Sequence, residues 1–262
     1  RAVSARSPGA WFYTNTSSIP IAVLARKSGL GGRLVGFHFY NPPPQQKLLE
    51  WIPSGETSPE LKEFSRSLAG KLGKVLVESR DVAGFIGNGQ FVREGLHALN
   101  CLESWKELDA GKRPLALQTL TQSWLLRPMG ILQLMDYVGL DVVGMIAGVM
   151  GEYLGDTSFR QPLLEEWLRR GVQGGQHPDG SIKPGFFRYQ GMKPVAVYDL
   201  KAGTYVDLAV DWQQKLDGEL GGLPQGWQPW KNLSLAADRQ EKLRAYFRAL
   251  KVSPVIGAQL AW

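Results

Sequence analysis

The apolar positions of this chain change period near residue 85, and the change separates two kinds of structure. Before it, short apolar runs alternate with helix-like stretches. Residues 10–14 are aromatic and β-prone and stop at the polar Asn15-Thr16-Ser17-Ser18, which suits a strand leading into a helix cap. Ser18 precedes Ile19-Pro20, so a short helix is predicted over 21–26, with proline near its first turn and Ser28-Gly29 at its end. A second strand is predicted over 33–38. Pro42-Pro43-Pro44 cannot continue a central strand, so the chain turns there and a third strand over 47–52 returns beside the second. Ser58-Pro59-Glu60 then caps a helix whose apolar residues, Leu61, Phe64, Leu68 and Leu72, recur at three- and four-residue intervals up to Gly73. A short strand over 75–77 and Asp81-Val82-Ala83-Gly84 close this α/β region.

From Phe85 the helical period takes over. Ile86, Val92, Leu96, Leu99 and Leu102 line a long helix to about Leu108, and further helices are predicted over 115–124, 131–150 and 162–170. Beyond Gly185-Phe186-Phe187-Arg188-Tyr189 the chain becomes rich in proline and tryptophan, and residues 235–250 offer one more amphipathic helix. The expectation is an α/β piece followed by an all-helical one. About four strands are too few for a complete dinucleotide fold, and the Gly-x-Gly-x-x-Gly loop between a first strand and its helix is missing. Gly29-Leu30-Gly31-Gly32 follows a helix and precedes a strand, the reverse of the required order, and reads as a turn.

Composition narrows the classes. A length of 262 residues suits two ordinary domains, or one domain with a piece of another, and 44% apolar with 21% charged residues describes a globular protein. The net charge of +6 would serve an acidic ligand such as a phosphorylated cofactor, or a nucleic acid. No Lys/Arg cluster exceeds a pair, so no nucleic-acid partner is expected. The single cysteine, Cys101, excludes an internal disulfide framework and Cys-x-x-Cys metal sites. His38, His97 and His177 lie too far apart to suggest zinc, and no metal is expected. The most hydrophobic segment, 131–150, contains Asp136 and Asp141 and reads as a buried helix rather than a membrane span. The N-terminus lacks a signal-peptide layout, and the expected location is the cytoplasm. Arg1 opens the chain and a strand follows almost at once, which reads as a piece of a longer protein.

His38 ends the apolar run Leu34-Val35-Gly36-Phe37, and Glu50 ends the next one across the proline turn. An imidazole can take up and return a proton near neutrality, and a carboxylate on its far nitrogen would fix the tautomer and stabilise the imidazolium. On spacing alone, the two are either such a pair or a histidine packed at a strand end and an acid at a sheet edge. Ser17 and Asn88 can both donate to a substrate oxygen. Ser17 competes with Ser18 for the cap role, Asn88 also suits a polar surface near a helix start, and Asn41 also suits a turn. Asp136 and Asp141 do not share a helical face, so Asp136 is read as satisfying neighbouring backbone, and Gly139 as allowing close helix packing.

Asn15-Thr16-Ser17-Ser18, His38-Phe39-Tyr40-Asn41-Pro42, Lys47-Leu48-Leu49-Glu50 and Gly84-Phe85-Ile86-Gly87-Asn88 together resemble the L-3-hydroxyacyl-CoA dehydrogenase family. Arg127-Pro128-Met129-Gly130, Asp136-Tyr137-Val138-Gly139-Leu140-Asp141 and Lys183-Pro184-Gly185-Phe186-Phe187-Arg188-Tyr189 extend the likeness over roughly residues 12 to 190. The last seventy or so residues resemble, more weakly, the extension of multifunctional members that also carry a hydratase domain.

The resemblance implies the C-terminal part of a Rossmann-type NAD-binding domain over 1–83. A helical substrate and dimerisation domain would follow over 84–192, and an extension over 193–262 as the start of a further helical domain. It implies NAD-dependent oxidation of a 3-hydroxyacyl-CoA in β-oxidation. His38 would be the base and Glu50 its orienting partner, with Ser17 and Asn88 holding the substrate oxygen and nicotinamide in register. Asn15, Ser17 and Asn41 would lie on the cofactor side, with Asn41 also supporting the His–Glu pair. A homodimer through the helical domain is implied, and the glycine fingerprint for NAD is expected upstream of Arg1. Gly89 stands where the family usually has arginine, Gln45-Gln46 replaces a more apolar pair, and Phe187 takes a usual tyrosine position. The competing reading is a non-catalytic helical assembly module of a multifunctional protein.

Because pyrophosphate and ribose contacts are missing from these residues, the 262-residue chain is expected to form little or no NADH from a 3-hydroxyacyl-CoA. Supplying the upstream residues should restore it; full turnover without them contradicts this expectation. Light scattering across a concentration series tests self-association separately.

Overall fold

The computed structural model describes residues 6–105, 108 and 111–261. The chain divides into two compact units, Arg1–Arg93 with Met145–Arg160 and Glu94–Gly144 with Gln161–Trp262.

In the first unit, β1 (Phe12–Thr14), α1 (Ile21–Ser28), β2 (Leu34–Phe39), β3 (Leu48–Ile52), α2 (Pro59–Lys71) and β4 (Val75–Glu78) follow the predicted order. The strands lie in the sheet order β1-β2-β3-β4. β1 and β2 run parallel, as do β3 and β4, whereas β2 and β3 are antiparallel across the proline turn. Each parallel pair needs a crossover, which α1 and α2 supply.

β2 is apolar almost throughout because both faces of the sheet are covered. On one face Val35, Phe37, Leu49 and Trp51 pack with Leu61 and Ala69 of α2. On the other, Leu34 and Ile52 pack with Ile21 and Ala25 of α1 and with Phe85. Strand side chains alternate, so His38 follows Leu34 and Gly36 onto this second face, and Glu50 shares it with Ile52. Gly36 is required by close approach: a Cβ there would stand 2.8 Å from Ile21 Cδ1 and 2.9 Å from Ile52 Cβ.

The helix starts differ in legibility. Ser58 caps α2 as predicted, its hydroxyl accepting from the Leu61 N–H at 3.2 Å. Ser18 does not cap α1. Pro20 occupies the cap position without a side-chain bond, and the Ile21 and Ala22 N–H groups donate to the Asp81 carboxylate at 2.5 and 2.8 Å. That cap comes from sixty residues downstream, beyond the reach of a local pattern.

After β4 come α3 (Gly87–Ser104), α4 (Arg113–Thr119), a π-helical turn (Leu120–Trp124), α5 (Ile131–Val138), α6 (Leu140–Leu154) and α7 (Pro162–Arg169). The single helix predicted over 131–150 is in fact two, bent by 93° at Gly139. Gly139 has φ 102°, a conformation open to glycine and costly for other residues, and the next N–H leaves the helix to donate to the Gln173 carbonyl at 2.7 Å. Among the described residues no single helix is long and apolar enough to cross a membrane.

The expectation of an all-helical chain beyond residue 84 is corrected by a second sheet. β5 (Phe187–Gln190), β6 (Lys193–Asp199) and β7 (Thr204–Asp207) form an antiparallel meander. Aromatic and β-branched residues mark its strands, Phe187 and Tyr189 before the turn glycine Gly191, Val195 and Val197 after it, and Tyr205 and Val206 beyond the turn glycine Gly203. α8 (Trp212–Glu219), α9 (Trp230–Leu235), α10 (Arg239–Val252) and α11 (Ile256–Ala261) complete the second unit. Its core gathers Leu120, Trp124, Leu216, Leu220, Tyr246 and Leu250. Carbonyls of the π turn find partners outside it: Tyr246 donates to Trp124 O at 2.8 Å and Trp227 Nε1 to Ser123 O at 2.7 Å.

Asp136 of α5 joins helix to sheet in this unit. Fully buried, it accepts from the Phe186 and Phe187 N–H groups at 2.7 and 3.1 Å and from the Tyr189 hydroxyl at 2.6 Å. Burial raises its pKa and outweighs these three bonds, pushing it from 3.8 up to about 7. The folded state therefore holds a proton that the unfolded chain has released, so its stabilisation is complete below the ordinary carboxylate range and is lost as pH rises to about 7. Urea unfolding across that window should show stability falling with pH, by at most about 1.4 kcal/mol per pH unit from this group. Asp136→Asn should remove that component of the slope.

Candidate active site

Register places His38 and Glu50 directly opposite each other in the antiparallel β2–β3 pair. Opposed residues share a face, so the reversal after Asn41 brings imidazole and carboxylate together, with His38 Nδ1 2.6 Å from Glu50 Oε2. Both are buried, at 7% and 1% exposure. A pair this enclosed is far less weakened by solvent than a surface ion pair.

Glu50 has no spare oxygen. Its Oε1 accepts from the N–H groups of Ile86 and Gly87, at 3.0 and 2.8 Å, where α3 begins. These are N-terminal helix donors with no intrahelical partner, and the helix dipole favours an anion there. Burial alone would raise the Glu50 pKa. The bonds from His38, Gly87 and Ile86 outweigh it and hold the carboxyl below its ordinary value. An ionised Glu50 can only accept, so His38 Nδ1 is the donor of this bond, and in the neutral ring Nε2 is the basic atom.

Aromatic rings enclose the pair. The His38 ring centroid lies 5.2 Å from that of Tyr40 and 6.1 Å from that of Phe85. Burial and the neighbouring Glu50 charge push the Tyr40 phenol well above its ordinary value, so it stays protonated. Phe85, with φ 51°, and Gly84, with φ 83°, turn the chain sharply into α3, so that the Ile86 and Gly87 N–H groups face the carboxylate.

The other predicted residues take distinct places. Asn88 Nδ2 donates to the Ser17 carbonyl at 2.8 Å, tying the turn after β1 to the start of α3. Ser17 is half-buried. Asn15 Oδ1 accepts from the Phe39 N–H at 2.9 Å and holds the end of β2 against that same turn. Asn41 is exposed just past β2, at a cis peptide bond to Pro42, and the described partners of the pair are the Ile86 and Gly87 N–H groups rather than its amide. His97 lies on α3, 3.7 Å from Cys101 Sγ, and His177 lies in the second unit. Sequence reasoning missed Tyr40, Asp81 and Gly87. Gly87 was legible only as a glycine beside the predicted amide.

Two family descriptions match: "3-hydroxyacyl-CoA dehydrogenase, NAD binding domain" over residues 1–82, and "3-hydroxyacyl-CoA dehydrogenase, C-terminal domain" over 84–183. A "Probable 3-hydroxybutyryl-CoA dehydrogenase" of Deinococcus radiodurans is 34% identical over 65% of this chain and 60% of its own length. The "Fatty acid oxidation complex subunit alpha" of Vibrio campbellii is 30% identical over 71% of this chain and 25% of its own. Among solved structures, FadB2 of M. tuberculosis superposes with a TM-score of 0.60 at 30% identity, covering 70% of this chain and 61% of that one. The (S)-3-hydroxybutyryl-CoA dehydrogenase PaaH1 of Ralstonia eutropha gives 0.59 at 25%, covering 69% and 60%. The chain thus spans 60% of the first of these curated relatives and much less of the fatty acid oxidation subunit.

A methyl group at Gly87 would overlap the Tyr40 hydroxyl. Gly87→Ala is expected to displace Tyr40 or the start of α3 and to cost about 1–3 kcal/mol by urea unfolding, as overpacking does. A variant as stable as the parent would contradict this packing.

Proposed function

The chain belongs to the 3-hydroxyacyl-CoA dehydrogenase family, and from that premise we propose that it serves the NAD-dependent oxidation of an L-3-hydroxyacyl-CoA to the 3-ketoacyl-CoA in fatty-acid β-oxidation. The observation that carries the reading is the buried His38–Glu50 pair, with its carboxylate saturated by the α3 N-terminus.

The residues present suit the nicotinamide end of such a cofactor. The carboxyl ends of the parallel strands β1 and β2 lie at one edge of the sheet, the side on which open α/β sheets take ligands, and Asn15, Ser17 and Asn41 stand just beyond them. These three would hold that end of the cofactor. A phosphate-gripping glycine loop is not among the 262 residues. NAD, when bound, supplies the acceptor for the hydride that leaves C3 of the substrate.

The chain's own residues supply alignment and proton transfer. His38 Nε2 takes the proton of the 3-hydroxyl as C3 gives up its hydride and the C–O bond becomes a carbonyl. Glu50 stabilises the imidazolium that forms and prevents the ring from rotating. Ser17 and Asn88 orient the substrate oxygen, Asn88 partly by fixing the Ser17 turn.

His38→Gln is expected to lower turnover by roughly 10²–10⁴-fold, the contribution of a positioned general base. NADH formation is the readout, in a chain that carries a complete glycine-rich NAD-binding half ahead of these residues. Glu50→Gln keeps the imidazole and should cost less. A fall smaller than tenfold in the histidine variant would remove the proton-abstraction role.

A further inference from the structure

The second unit contains a groove that the dehydrogenase reading does not use. It has a volume of ≈ 550 Å³ and lies between the π turn, the start of β6, α8 and the segment entering α9. That is within the range of small-molecule sites, roughly 300–1,000 Å³.

Its lining carries three cations, Arg127, Lys193 and Lys231, and no aspartate or glutamate. Arg127 is paired with Glu94, which leaves the two lysines to set the local charge. Both lysines are exposed, and neither forms an ion pair among the described residues. They stand on different elements, β6 and α9, so a single carboxylate would suit one of them, whereas a ligand with spread negative charge suits both.

The rest of the wall mixes apolar side chains, Met192, Trp227 and Trp230 among them, with the polar Gln122, Ser123 and Gln213. Trp230 is 39% exposed and Met192 52% exposed, surfaces that water solvates poorly. The wall is also held in place. Trp227 Nε1 donates to Ser123 O at 2.7 Å, and Gln133 Nε2 donates to Met192 O at 2.8 Å, fixing the tryptophan loop and the β5–β6 turn. A partly exposed indole in the same lining as two lysines without ion pairs matches a planar aromatic ring carrying phosphates: the ring stacks and the phosphates neutralise the lysines.

We infer that this groove binds the adenosine diphosphate group of a nucleotide, its base against Trp230 and its phosphates between Lys193 and Lys231. Free ADP and the nucleotide end of coenzyme A share that chemistry. The site lies within the second unit and does not depend on the His38 chemistry.

Calorimetric titration of the 262-residue chain with ADP tests it. One ADP per chain is expected, with affinity falling as salt rises. The double variant Lys193→Glu/Lys231→Glu should weaken binding by roughly tenfold or more. Trp230→Ala should do the same through lost stacking, and Trp230→Phe should restore it. Lys201→Glu, an exposed charge reversal outside the groove, should leave affinity unchanged. Coenzyme A titrated in parallel separates the two sources: tighter binding of coenzyme A marks a handle for the acyl carrier, and tighter binding of ADP marks a free-nucleotide site. Absence of ADP binding, or binding that survives both the lysine and the Trp230→Ala variants, overturns the inference. Equal loss in Lys201→Glu also overturns it, because net charge alone would then explain the effect.

Discussion

A single buried carboxylate organises the first unit. Glu50 lies opposite His38 in the sheet and accepts bonds from three directions, an imidazole N–H and two backbone N–H groups of α3. A buried ionised carboxylate is costly unless its lone pairs are filled, so the cluster is sound only while strand register, the turn at Gly84-Phe85 and the start of α3 are all in place. The same saturation holds Glu50 below its ordinary pKa beside the imidazole. The geometry of the pair and the integrity of the fold thus share one set of bonds.

The second unit repeats the device with a different outcome. Asp136 is equally enclosed and also accepts from two backbone N–H groups, yet its third partner is the phenol of Tyr189 rather than an imidazole. A phenol gives a weaker counterpart to the charge than a histidine does, and burial prevails, so Asp136 is pushed up to about 7 while Glu50 is held low. One carboxylate is held in its ionised form against an imidazole. The other fastens a helix to a small sheet.

Legibility followed the range of the responsible interaction. The α2 cap was readable because Ser58 and its N–H partner are three residues apart. The α1 cap was not, because Asp81 arrives from sixty residues away. Gly139 was visible as a glycine, but its left-handed turn depends on Gln173 accepting the next N–H. The β5–β7 meander carries aromatic and β-branched residues on each strand, but its strands are held by pairing with one another across two glycine turns. Of the site, His38 and Glu50 stood out as scarce polar residues closing apolar runs, whereas Tyr40 and Gly87 matter through their contact with each other.

Strand periods, the proline reversal and the placing of His38 and Glu50 at the ends of neighbouring runs were determined by sequence alone, since each depends on local backbone preference and the alternation of side chains. Whether those two residues faced each other or were one register apart was decided by tertiary structure. So was the delivery of two helix N–H groups to the same carboxylate from thirty-six and thirty-seven residues on. Hydrogen bonds of that range exist only once the sheet and α3 have packed, and no local pattern encodes the direction from which they come.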